Sequence, residues 1–247
     1  MIMSDYVGNV IFALNEKRTT MKKSNAQIVT DTNHANHICY IVAAGDFYGP
    51  PFVLRKNDLL IAADGGLKHL VMRNLTPHLL MGDLDSLSPA IPHPHQTKIF
   101  SPIKDETDTA LALNHGWQTG YRTFRMYGCT GGNRFSHTLA LLQTAGAVCQ
   151  AGGDIVVYEK NAYIFFLHNA AYTLPNRGGY LSVFAWGKAA LGVTLRHVKY
   201  PLTNATLTPN EPLGVSNEIT APQAQISVAE GTLLLVQTRA KEEDWWI

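Results

Sequence analysis

Five aspartates gather in three short strings of this chain: Asp64 in Ala-Asp-Gly-Gly, Asp83 and Asp85 in Gly-Asp-Leu-Asp-Ser, and Asp105 and Asp108 in Lys-Asp-Glu-Thr-Asp. Clustered carboxylates repel one another unless something positive sits between them, so this pattern points to a magnesium ion beside a polyphosphate. Two acids at i and i+2 on a tight turn, as in Asp83-Leu84-Asp85, converge on one hard cation when the turn folds them to the same side. Magnesium usually takes one or two carboxylates together with waters and substrate phosphates, so the set exceeds the need of one ion. The surplus either serves a second ion or orients ribose, water or an attacking hydroxyl. The plainer alternative gives Asp83, Asp105 and Asp108 to helix caps and to the positive ends of helices. For one aspartate alone the two readings balance; for the group the cation reading is the stronger.

A glycine loop follows downstream, Gly128-Cys129-Thr130-Gly131-Gly132-Asn133-Arg134. Glycines let backbone amides approach an anion at a helix N-terminus, and Arg134 can offer a bidentate guanidinium to phosphate. The string lacks the closing Gly-Lys-Ser/Thr of a P-loop, and by itself a structural turn explains it equally well.

Positioning these groups requires strands and helices that alternate. Short apolar runs at residues 38–44, 59–63, 78–81, 98–100 and 124–127 read as buried strands, and 66–74, 107–119 and 136–150 as helices. This alternation predicts an N-terminal α/β half, a doubly wound and mostly parallel sheet with helices on both faces, whose ligands sit beyond the carboxyl ends of its strands. Asp64 and Asp83 both directly follow such strands. After Gly152 the pattern turns to alternating apolar and polar residues with turn signals, and strands are expected at 154–159, 163–167, 180–185, 192–195, 225–228 and 232–237. The C-terminal half is therefore expected to be all-β, an antiparallel sandwich or barrel. The expected organisation is a peripheral leader over 1–36, an α/β domain over 37–152 and a β-rich domain over 153–247.

With 20 basic and 19 acidic side chains in 247 residues, no bulk electrostatic attraction to nucleic acid or to an anionic membrane is expected. The partner should be small. Cys39, Cys129 and Cys149 form no CxxC pair, which speaks against a disulfide framework or zinc knuckle and for a cytoplasmic protein. No apolar run reaches the roughly 18 residues of a membrane span, and no signal-peptide order is visible. Met21 opens Met-Lys-Lys-Ser, which reads like an alternative start.

Taken in order, Ala63-Asp64-Gly65-Gly66, Gly82-Asp83-Leu84-Asp85-Ser86, Lys104-Asp105-Glu106-Thr107-Asp108 and Gly131-Gly132-Asn133-Arg134-Phe135-Ser136-His137 resemble the thiamine pyrophosphokinase family. Gly192-Val193-Thr194 through Tyr200-Pro201-Leu202, then Gly214-Val215-Ser216-Asn217-Glu218, are similar to the thiamine-binding β domain of that family. The resemblance runs from about Ile38 to Thr238. It implies transfer of a pyrophosphoryl group from ATP to thiamine, giving thiamine diphosphate and AMP, with Mg2+ as cofactor. It makes 37–152 the ATP-binding catalytic domain and 153–247 the thiamine-binding domain. It assigns Asp83, Asp85, Asp105 and Asp108 to magnesium and catalysis. To ATP it assigns Asp64, Gly65, Gly66, Lys104, Thr107, Gly131, Gly132, Arg134 and His137. Ser216 and Asn217 are expected on the aminopyrimidine, and Trp186 stacked on the flat cation. It further implies a homodimer with the active site between subunits.

Three positions depart from the family pattern. Asn133 is an extra residue in the glycine loop, Ser136 stands where the family has an aspartate, and His197 replaces a glycine. Ser136 is expected to cap the helix that follows, and the turn at His197 to differ because glycine's freedom at positive φ is gone. These departures keep two alternatives open: a protein that binds thiamine or a nucleotide without chemistry, and a related phosphotransferase with another acceptor. His93 and His95 lie among prolines without a third ligand and read as a surface loop. Trp245 and Trp246 read as packing groups.

Overall fold

The computed structural model describes residues 37–82, 97–99, 106–131 and 135–240. Short, mostly apolar runs form β1 (Ile38–Val42), β2 (Leu59–Ala63), β3 (Leu79–Gly82) and β5 (Thr123–Tyr127), and the more polar Thr-Lys-Ile forms β4 (Thr97–Ile99). They lie parallel in the order β5-β1-β2-β3-β4, and β6 (Asp154–Glu159) adds in parallel beyond β5. The chain thus leaves β1 towards β2 on one side and later returns to its other side at β5. This reversal of strand order is where doubly wound sheets open a crevice at their carboxyl edge.

Both faces of the parallel sheet are covered. α2 (Asp108–Gln118) and α3 (Phe135–Gln150) place Ala112, Leu113, Leu141 and Ala145 on a core with Ile41, Ile61, Met81, Phe124 and Met126. On the opposite face α1 (Gly66–Val71) packs Leu67 and Leu70 against Tyr40, Val42, Leu60 and Leu80. Phe47, Phe52 and Leu54 of the β1–β2 connection complete that cover. Buried Asp58 ties the entry of the sheet together, its carboxylate accepting from Ile38 N at 2.8 Å and Arg55 N at 2.9 Å.

The sheet does not stop at residues 152/153. β7 (Ala162–His168) pairs antiparallel with β6, followed by β14 (Thr232–Thr238), β9 (Leu181–Ala185) and β12 (Gly214–Asn217), making ten strands. A second sheet orders β11 (Leu202–Leu207), β10 (Ala190–Arg196), β13 (Gln223–Ser227) and β8 (Ala171–Pro175). Leu233 and Leu235 of β14 face this second sheet while Leu234 faces the α3 side. A period of two on a strand buried on both sides therefore joins the two cores. The β-rich half is a sandwich whose inner layer is the extension of the parallel sheet. Each fully buried leucine of that seam contributes roughly 1.5–3 kcal/mol.

The edge strands β8, β11 and β12 were not expected. Most of their residues are exposed or only half-buried, and Asn204 with the flanking threonines of Leu-Thr-Asn-Ala-Thr-Leu reads as polar linker rather than strand. These rim strands bury few side chains, so their low apolar content costs little, and polar residues blunt their open edges.

Candidate active site

Described parts of the first two acidic motifs and of the glycine loop lie along the carboxyl edge of the parallel sheet. Ala43 to Asp46 leave β1, Asp64 to Gly66 leave β2, Gly82 ends β3, and Gly128 to Gly131 leave β5. Asp83, Asp85, Lys104, Asp105, Gly132 and Arg134 lie outside the described residues, as do His93, His95, Asn133, Trp245 and Trp246. Among the described residues no group of three or more His, Cys, Asp or Glu side chains could hold a metal ion.

Asp64 adopts φ 48, a left-handed conformation that aspartate tolerates better than most residues. Its N–H donates to Met81 O at 2.7 Å, so the turn after β2 is locked to the end of β3. Gly82 is pressed so close that a Cβ there would lie 3.0 Å from Asp64 Cα. The end of β3 at Gly82 therefore packs directly against the Asp64 turn. Gly66 opens α1 with no room for a side chain, because a Cβ would run into Val42 O. Both motif glycines thus serve close backbone packing at the edge.

The ends of β1 and β5 are zipped together by their backbones. Ala43 N–H donates to Tyr127 O and Gly45 N–H to Gly128 O, each at 2.8 Å. Gly128 and Gly131 sit at φ 61 and 79. A Cβ at Gly131 would lie 3.2 Å from Asp46 Oδ2, which places the Asp46 carboxylate over the mouth of the glycine loop. Thr130 is buried at 3% exposure, and its hydroxyl finds no partner among the described residues. His69 Nε2 reaches Gly45 O at 2.7 Å from α1. Asp46, His69 and Thr130 belong to this edge and were not expected; of the three, His69 acts on loop backbone, which leaves no motif to read.

At the N-terminus of α2, Thr107 is the cap, its Oγ1 accepting from Ala110 N at 3.2 Å. Asp108 is the first helical residue and half-buried, where the helix dipole favours its charge. Since Thr107 does the capping, the Asp108 carboxylate is not needed for it. Glu106 accepts from Asn114 Nδ2 at 3.2 Å and steadies the same turn. α3 begins at Phe135, so Ser136 lies inside its first turn and not ahead of it; the capping expected of Ser136 does not hold. Ser136 and His137 are both exposed there.

The thiols are inert. Burial pushes Cys149 up to about 11 and Cys129 up to about 12, and Cys39 higher still. No thiolate nucleophile is available near neutral pH.

In the β half, Ser216 is exposed on edge strand β12 at φ 56, and its N–H donates to Ser182 Oγ at 3.1 Å. Asn217, 3% exposed, spends its amide on the backbone of Tyr200 and Glu218. Trp186 follows β9 at its other end, four residues beyond Ser182 and so about 13 Å along the strand. Its indole packs on Gly146 of α3, where no side chain would fit, and edge-on to Phe166 at 5.4 Å. Within this chain the structure therefore does not bring Trp186 to Ser216 and Asn217. His197 was expected to change its turn; instead it holds φ 60, and Thr220 N–H donates to its carbonyl at 2.9 Å. The bridge between Val198 and Ile219 fixes the turn regardless of the side chain.

The family model described as "Thiamin pyrophosphokinase, catalytic domain" matches residues 52–157, and "Thiamin pyrophosphokinase, vitamin B1 binding domain" matches 171–233. Together they span more than half of the chain. A thiamine pyrophosphokinase of Bacillus subtilis (strain 168) is 26% identical over 193 residues, covering 74% of this chain and 88% of that protein. The crystal structure of thiamine pyrophosphokinase from Bacillus subtilis superposes with a TM-score of 0.74 at 24% identity, covering 83% of this chain and 100% of the other. The enzyme from Candida albicans gives a TM-score of 0.64 at 15% identity, covering 82% and 89%. The two structures speak for the fold, and the paired domain matches, in order along one chain, speak for more: this chain belongs to the thiamine pyrophosphokinase family.

Proposed function

We propose that this protein transfers the pyrophosphoryl group of ATP to the hydroxyethyl group of thiamine, releasing AMP and thiamine diphosphate. The observation that carries this reading is the match of both family domains in order, one of them catalytic and one binding vitamin B1. In the reaction the thiamine oxygen bonds to the β-phosphorus while the bond from that phosphorus to the α–β bridging oxygen breaks. AMP departs with the bridging oxygen, and the hydroxyl proton passes to a carboxylate. Such a displacement needs alignment and charge neutralisation more than a covalent nucleophile.

Asp83, Asp85, Asp105 and Asp108 are the residues we assign to magnesium. The donor set fits a hard cation: the motifs offer carboxylate oxygens, while the described thiols that would favour softer ions are held protonated by burial. Bound magnesium supplies charge neutralisation on the phosphate oxygens. The chain's own groups orient the nucleotide: Asp64, Gly65 and Gly66 at the β2 turn, Lys104 and Thr107 before α2, and Gly131, Gly132, Arg134 and His137 around the glycine loop. Thr107 Oγ1 accepts from Ala110 N, and its own O–H is left to donate to a phosphate oxygen.

For thiamine we assign Ser216 as the direct contact and Asn217 as the group that holds its surroundings in place. Trp186 would meet a ligand only from another subunit or after repacking from Gly146. A homodimer with the site between subunits is supported by exposed Tyr180, Tyr200, Leu213 and Val215 around β12, whose outer edge pairs with no described strand. A cytoplasmic setting suits the three free cysteines. Among the described residues no helix is long and apolar enough to cross a membrane.

The test is incubation of the protein with ATP, magnesium and thiamine, followed by chromatography. AMP and thiamine diphosphate in equal amounts are expected, and loss of turnover in Asp83→Asn and in Asp108→Asn. Binding of thiamine without AMP release, or full turnover in both variants, would overturn the reading.

A further inference from the structure

We propose that His69 is a positioning residue for the ATP phosphates: it fixes the β1 loop, and through it the start of the glycine loop, relative to the Asp64 turn. The inference rests on the reading that ATP occupies this carboxyl edge.

Gly66 and His69 are three residues apart on α1 and so lie on one face of that helix. Gly66 seats the helix on the last carbonyl of β1, and one turn on, His69 Nε2 meets Gly45 O at 2.7 Å. A carbonyl only accepts, so Nε2 carries the hydrogen and donates it to Gly45 O.

Gly45 passes the constraint on, since its own N–H donates to Gly128 O at 2.8 Å. No other residue fits there: a Cβ on Gly45 would run into Thr130 O and lie 2.7 Å from Gly128 O. The imidazole itself is held. Phe47 packs beside it at 5.6 Å, the Arg73 guanidinium covers Phe47 at 3.8 Å, and Arg73 Nη1 donates to His69 O at 3.0 Å. A side chain locked in this way transmits position rather than merely filling space. The turns after β2 and β5 flank β1 on opposite sides, roughly 10 Å apart by strand spacing, and His69 spans the first half of that distance while Gly45 N–H to Gly128 O spans the second. Small errors in such a span act on phosphate alignment and not on the sandwich.

The experiment uses the full chain. His69→Leu keeps bulk and removes the donor, whereas His69→Gln places an amide where Nε2 stood. Calorimetry with ATP and magnesium in the absence of thiamine, and steady-state kinetics with both substrates, should show Kd and KM for ATP raised about fivefold in His69→Leu, as loss of one hydrogen bond implies. KM for thiamine should stay unchanged, and His69→Gln should behave like the parent. Parent-like ATP binding in His69→Leu, a parallel rise in KM for thiamine, or a His69→Gln as weak as His69→Leu would each overturn the proposal. If His69→Leu does not fold, His69→Asn against His69→Gln makes the same comparison, because the shorter amide cannot reach Gly45 O. A parent protein that binds ATP but makes no AMP with thiamine would overturn the reaction while the His69 comparison still stands. A parent that binds no ATP would overturn both.

Discussion

The side-chain amide of Asn217 grips both backbone groups of Tyr200: its Oδ1 accepts from Tyr200 N at 3.0 Å and its Nδ2 donates to Tyr200 O at 2.8 Å. The same oxygen accepts from Glu218 N at 2.9 Å, so a buried carboxamide joins β12 to the turn before β11. Asn217→Ala should strand these backbone groups and cost about 2–3 kcal/mol, read as a lower urea midpoint. Asn217→Asp should be no better, because it sets an oxygen against the Tyr200 carbonyl. Since Ser216 is adjacent, both variants should raise KM for thiamine and leave KM for ATP alone. An Asn217→Ala variant with unchanged midpoint would contradict the clasp.

The parallel strands were legible because both of their faces are buried, which makes Leu-Leu-Ile-Ala-Ala an unbroken apolar run. β12 was not, for the same physical reason reversed: Gly214–Asn217 shows one paired side and two exposed residues, and a sequence cannot signal burial it does not have. The site divided in the same way. Asp64 and Gly66 stood out as a carboxylate and a glycine in one short string, and the structure gives the physical reason for both types: aspartate tolerates φ 48 and only glycine fits against Val42 O. His69 stayed hidden, since a histidine whose one task is to reach the carbonyl of Gly45 carries no neighbouring pattern. Trp186 was legible as an aromatic ending a strand, whereas its seat on Gly146 of α3 was not, because a helix glycine carries no sign of the side chain packed on it.

Thr107 and Asp108 separate stability from chemistry at one helix end. Thr107→Ala removes the cap on Ala110 N and should lower stability by about 1 kcal/mol. Asp108→Asn keeps the cap, and its lost charge–dipole attraction costs about 0.3–1 kcal/mol. Its turnover, by contrast, should fall roughly 10²-fold or more if the carboxylate serves the metal and phosphates. Turnover within twofold of the parent in Asp108→Asn would remove it from the catalytic set.

His115 gives the stability a pH dependence. Burial first, and then the Lys98 ammonium whose Nζ lies 3.2 Å from Nδ1, hold its imidazole below the usual histidine range. The unfolded chain takes up a proton near pH 6.5, while the folded chain resists until lower pH. In that interval the unfolded state binds more protons, so the stability present above pH ~6.5 is lost as pH falls. His115→Gln should flatten the decline in denaturation midpoint between about pH 7 and pH 5. An unchanged slope would assign the acid sensitivity elsewhere.

His197 pays for its turn with backbone conformation. Of the described residues other than glycine at positive φ, Asn57, Asn74, Asn169 and Asn204 are of the type that most readily accepts it. His197 accepts φ 60 because the flanking strands impose it, through Thr220 N–H on its carbonyl and Lys199 N–H on Glu218 O at 2.8 Å. The left-handed conformation costs an L-residue roughly 1–2 kcal/mol, and glycine returns about 0.4–1 kcal/mol of that through a more mobile unfolded chain. His197→Gly should therefore stabilise by about 0.5–1 kcal/mol, a rise of roughly 2 °C in Tm for a chain of this size. His197→Val should destabilise, since a β-branched side chain tolerates this region least. A drop in Tm for His197→Gly would mean that the imidazole makes a contact worth more than the strain it bears.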